Sequence, residues 1–99
     1  MYASVRRYEN IAQDTVNEIM KRVTEGFVPI ICQAPGFVGY YALDTGDGTV
    51  ASITIFESER GASESNQMAA GWVKDNLIEL LSSQPQITAG QVLVHKAGQ

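Results

Sequence analysis

An α+β fold is what this sequence predicts, and three observations carry the prediction. Four short segments have strand length and strand-like side chains. Two longer segments repeat apolar residues at helical spacing. Clusters of Gly, Pro and Asp fall between them as turns.

Tyr2 to Tyr8 reads as the first strand, with Tyr2, Ser4, Arg6 and Tyr8 on one face and Ala3, Val5 and Arg7 on the other. Ile11 to Gly26 reads as a helix whose apolar stripe is Val16, Ile19, Met20, Val23 and Phe27, with Asn10 as its N-cap. Pro29 lacks an N–H and crowds the preceding turn, so a kink is expected near Glu25 to Phe27. Ile30 to Cys32 continues as a short helical piece, and Pro35-Gly36 stops it. Phe37 to Leu43 and Val50 to Glu57 are the second and third strands, joined through Asp44-Thr45-Gly46-Asp47-Gly48. Ser63 or Ser65 caps a second long helix that runs to about Ser82, with Met68, Ala69, Trp72, Val73 and Leu77 in its stripe. Gly90 to Lys96 is the fourth strand. The order strand, helix, strand, strand, helix, strand is the ferredoxin-like βαββαβ arrangement. Right-handed crossovers predict an antiparallel sheet in order 4-1-3-2 with both helices on one face.

The chain has 99 residues, which is one domain's worth, so 1–99 is expected to be a single domain. A net charge of −4 with scattered Lys and Arg argues against nucleic-acid binding, which needs a clustered basic face. No apolar run reaches bilayer length and no secretory signal opens the chain, so no membrane association and a cytoplasmic location are expected. Cys32 is the only cysteine, which leaves no intrachain disulfide and no multi-cysteine metal site. No metal or other cofactor is expected.

Two helices cover only one face of a four-stranded sheet. The other face should then alternate cleanly toward polar residues, and it does not: Phe37, Tyr41 and Leu43 oppose Val38, Tyr40 and Ala42, and Val50 and Phe56 oppose Ile53 and Ile55. A large apolar face needs a cover, and the simplest is the same sheet from a second copy. A homodimer through sheet-to-sheet packing is the expectation.

Several of these features resemble the antibiotic-biosynthesis-monooxygenase-like (ABM-like) group of dimeric α+β barrels. They are the turn Pro35-Gly36-Phe37 into Gly39-Tyr40-Tyr41, the run Ser52 to Glu57, and Ser65 through Ala69 to Trp72-Val73 followed by Asn76-Leu77. The resemblance covers nearly the whole chain. It implies two sheets facing each other as a barrel, with a pocket between each sheet and its helices. Some members of the group are cofactor-free oxygenases of polycyclic phenols and others degrade haem. The haem degraders use an Asn on the first strand and a Trp and a His on the second helix. Here Trp72 matches the Trp, but the first strand has no Asn and the second helix no His. The cofactor-free oxygenases use Asn, Trp and Tyr near the second helix. Asn66 and Trp72 are present, but six residues apart, and no Tyr follows Trp72.

Each candidate residue carries a functional and a plain reading. Trp72, with Tyr40 or Tyr41, would wall a pocket for a small apolar or aromatic ligand, or simply pack. Tyr40 and Tyr41 point to opposite faces, so one of them faces any given cavity. His95, Asn66 and Arg6 are the catalytic candidates. His95 titrates near neutrality but sits near the C-terminus. Asn66 lies about 600° around the helix from Trp72, well off its face; it could reach a pocket mouth near the helix start, but a solvated first-turn residue is the favoured reading. Arg6, if internal, needs a carboxylate, with Glu57 or Glu9 nearest to hand, or else a bound anion. Cys32 reads as a small buried hydrophobe. Two functions follow: a monooxygenase-like dimer acting on an aromatic or phenolic substrate, or a non-catalytic structural or ligand-binding homodimer.

Overall fold

Tyr2–Tyr8 forms β1 at the centre of the sheet in the computed structural model, which describes residues 1–98. It is followed by an irregular first helix, β2 (Phe37–Asp44), β3 (Val50–Phe56), a second long helix and β4 (Gln86–Gln91). The strand order is β2-β3-β1-β4 and every pairing is antiparallel, which is the ferredoxin-like order read from the other edge. Among the described residues, no helix is long and apolar enough to cross a membrane.

The first helix is a composite. A 3-10 turn at Gln13–Thr15 leads into α1 (Val16–Arg22), a π turn (Val23–Phe27) and α2 (Val28–Ile31). The Val28 N–H bonds to the Val23 carbonyl, five residues back. Pro29 explains the wider turn: it has no N–H to offer, and its ring would crowd the Glu25 carbonyl in a regular helix. The expected kink is therefore a π bulge. Asn10 does not cap this helix. It takes a left-handed conformation (φ 60°) and turns the chain so that buried Ile11 can donate its N–H to the Gly48 carbonyl at 2.9 Å.

The second long helix, α3, spans Glu59–Asn76 and starts earlier than its serines predicted. Ser58 caps it, accepting the Gly61 N–H on its hydroxyl at 3.1 Å. Ser65 lies inside the helix, buried and bonded to the Ala62 carbonyl. The helix ends at Asn76, and a separate 3-10 turn holds Ile78–Leu80.

Two further expectations are corrected. The fourth strand is Gln86–Gln91, not Gly90 to Lys96. It runs along β1 from Arg7↔Gln86 to Tyr2↔Gln91, and beyond Val92, whose N–H reaches the Met1 carbonyl, Leu93 and Val94 are 85% and 88% exposed. Cys32 is exposed rather than buried.

The sheet's two faces differ. Under the helices lie Ser4, Arg6, Tyr8, Val50, Thr54 and Phe56, all buried. Phe37 joins them, because a register shift between Phe37 and Gly39 turns it away from Tyr41 and onto Phe56, ring centroids 5.9 Å apart. On the open face, Tyr41, Ile53 and Val5 stand in register across three strands, with Leu43 and Ile55 beside them. Tyr41 is 62% exposed there.

Candidate functional site

Between the helices and the sheet the packing leaves an inner niche of about 50 Å3. Trp72 of α3, Phe27 of the π turn and Tyr40 of β2 form its aromatic wall. The Phe27 ring is 5.5 Å from Trp72 and 5.8 Å from Tyr40, centroid to centroid. The π turn brings Gly26 against the indole, and a β-carbon at that position would lie 2.9 Å from Trp72 Cζ2. The indole N–H makes no hydrogen bond among the described residues. It is not a buried orphan either, so it borders open space and is free to donate.

An outer cleft of about 590 Å3 opens beside the niche and shares Arg6, Tyr8, Val73 and Leu81 with it. Its rim is Lys74 and Ile78 on one side and the Ser82 to Pro85 loop on the other. The outer cleft has the volume of a small-molecule site, whereas the niche as it stands has room for only a few water-sized groups.

The floor between the two is polar. Arg6 is only 5% exposed. Its Nε and Nη2 donate to the Tyr8 hydroxyl at 3.2 and 3.0 Å. The expected salt bridge to Glu9 or Glu57 does not form: Glu9 pairs with neighbouring Arg7 at 3.3 Å, and no carboxylate comes within 4.0 Å of Arg6 among the described residues. Burial holds the Tyr40 phenol above its ordinary pKa, with Tyr8 pushing the same way and Ser52 and Arg6 pulling it down.

The structure gathers Arg6, Trp72 and Tyr40 around one cavity and leaves the other named residues outside it. Tyr41 is on the opposite face of the sheet. His95 lies in the exposed segment after β4. Asn66 is half-buried, but its Oδ1 accepts a hydrogen bond from Ser4 at 2.9 Å, which ties α3 to β1. Sequence reasoning did not single out Tyr8 or Lys74. Tyr8 shares the face of Arg6 by strand alternation, but its hydroxyl contact is a matter of side-chain reach. Lys74 meets the cleft only because α3 crosses β1. Among the described residues, no group of three or more His, Cys, Asp or Glu side chains is placed to hold a metal ion.

The geometry defines a ferredoxin-like α+β domain with a cavity between sheet and helices. No known family profile and no curated protein matches the sequence. Solved structures do match, and they show that the fold is that of the antibiotic-biosynthesis-monooxygenase-like proteins. The NE2512 protein of unknown function from Nitrosomonas europaea superposes with a TM-score of 0.81 at 22% identity, over 99% of this chain and 94% of that one. The ActVA-Orf6 monooxygenase of Streptomyces coelicolor, solved with nanaomycin D, gives 0.78 at 16% identity, over 99% and 92%. The haem degrader MhuD of Mycobacterium tuberculosis, solved with two haems in its active site, gives 0.73 at 15% identity, over 98% and 100%.

Proposed function

We propose that this chain is a homodimer that takes a flat aromatic or phenolic molecule into the cleft between helices and sheet, in the manner of a small monooxygenase that needs no cofactor. The observation that carries the reading is the cavity itself: an aromatic wall of Trp72, Phe27 and Tyr40 behind a ligand-sized mouth. The ring enters through the outer cleft, and its inner edge reaches the free indole N–H of Trp72 as the niche widens. A fold-mate that is a monooxygenase solved with nanaomycin D supports the choice of chemistry.

Haem does not fit the lining well. Neither the sole histidine, His95, nor the sole cysteine, Cys32, borders either cavity, so the walls offer iron neither imidazole nor thiolate. Pairing is favoured by the open face of the sheet, where Tyr41, Leu43, Ile53 and Val5 have no cover from their own helices. The same face of a second copy covers them.

One observation favours a non-catalytic binding role instead: no histidine or carboxylate lines either cavity. An oxygenase built this way depends on a substrate acidic enough to ionise unaided. Oxygen uptake across a panel of fused-ring phenols separates the two. Consumption confined to the more acidic phenols supports the oxygenase. Ligand binding without consumption assigns a binding protein, and an absence of binding by every aromatic tried refutes both.

A further inference from the structure

Arg6 is a buried cation without an anion. Its guanidinium carries five N–H donors, and only the Tyr8 hydroxyl receives any of them. Nη1 has no acceptor. Since no buried side-chain nitrogen lacks a partner among the described residues, Nη1 keeps some accessible surface, on a residue that lines both cavities. A buried charge in an apolar surround is costly unless something neutralises it. The second charged residue on the cleft is also a cation, Lys74, and no acidic residue lines either cavity. This positive mouth stands in a chain whose net charge is −4, so it is not a by-product of a basic protein.

We infer that the cleft selects an anionic ligand, an aromatic carboxylate, with its carboxylate on the Arg6 guanidinium and its approach favoured by Lys74. The inference rests on the aromatic-ligand reading above and adds the charge of the ligand to it. With Nε and one Nη2 proton engaged by Tyr8, Arg6 keeps Nη1 and the remaining Nη2 proton free, a fork that suits two carboxylate oxygens. Tyr8 fixes the guanidinium through the other edge. Lys74 is exposed on α3 and acts at longer range, so its effect is smaller and screened by salt.

The test is calorimetric titration of the intact protein with 2-naphthoate and with 2-naphthamide, which share a ring system and differ in charge. The expected result is naphthoate binding about tenfold or more tightly than the amide, as for hydrogen bonds to a charged group. Arg6→Gln should erase that preference, bringing the ratio of the two affinities to about one. Should Arg6→Gln fail to fold, Lys74→Gln, at an exposed helical position, should weaken naphthoate alone by about two- to fivefold at low salt. Equal binding of the two ligands by the native protein overturns the inference and leaves the aromatic reading standing. Binding of neither overturns both. A preference that survives in a folded Arg6→Gln also overturns it, as does undiminished naphthoate binding by Lys74→Gln where Arg6→Gln does not fold.

Discussion

Gly26 and Trp72 meet face to face: a β-carbon at position 26 would stand 2.9 Å from the indole Cζ2 and 3.4 Å from its Nε1. The contact exists because the π turn rotates Gly26 toward α3. Pro29, two residues past that turn, is its cause. One proline thus shapes the wall of the cavity.

Gly26→Ala should therefore destabilise the protein, although alanine is the better helix former by about 1 kcal/mol. The indole is also packed against Phe27 and cannot swing away as a flexible chain end would. Overpacking of this kind costs about 1–3 kcal/mol and wins. Urea denaturation measures it, and a more stable variant would show that Trp72 is loosely held.

Asn66 has a structural task that can be isolated. The Ser4 hydroxyl, 1% exposed, donates to it. Asn66→Ala leaves that hydroxyl buried without its acceptor, at about 1–3 kcal/mol. Asn66→Asp keeps an acceptor and should recover most of the loss. Equal stability of the alanine variant and the native protein would remove this tie between α3 and β1.

Two tyrosines should titrate late. Tyr40 is held above its ordinary value of 10.0 by burial, and Tyr2 by burial and the Glu59 carboxylate. Below pH 10 both states carry the phenolic proton. Above it the unfolded chain sheds protons that the folded chain keeps, so stability falls as pH rises through the shifted values. Tyrosinate absorbance of the folded protein should lag that of the urea-unfolded chain, with Tyr40→Phe removing part of the lag. Coincident titrations would contradict the burial of Tyr40.

The open face yields a test of pairing. Ile53 stands between Tyr41 and Val5 in the register of the sheet. Ile53→Asp places a charge there and should convert a dimer into a folded monomer in sedimentation velocity, since an unpaired charge in an apolar interface costs several kcal/mol. Native protein that sediments as a monomer would leave the face without the partner proposed for it.

The strands with strong side-chain patterns were legible in the sequence. β1 and β3 lie where alternation predicts, and Ser4 with Arg6, and Val50 with Phe56, share a face as alternation grouped them, but alternation alone did not say that this face meets the helices. β4 was misplaced because it is an edge strand, exposed at every residue, and carries no burial pattern to read. The more apolar Val92 to Val94 drew the assignment past its end. The Phe37 bulge was invisible because alternation assumes an unbroken ladder. Arg6 was expected to pair with a carboxylate, since buried cations usually do. Arg7 took Glu9 instead, on the exposed side, and that choice is made by the face each arginine occupies. The cleft itself joins β1, α3 and the loop before β4, a meeting that only the tertiary fold creates.

The central claim is that an aromatic molecule lodges beside Trp72, the only tryptophan in the chain. Its indole N–H therefore gives one cross-peak in a proton–nitrogen correlation spectrum. Titration with 2-naphthoate should shift that peak saturably, in step with the calorimetric isotherm. An indole peak that stays fixed while naphthoate binds would place the ligand elsewhere and contradict the account.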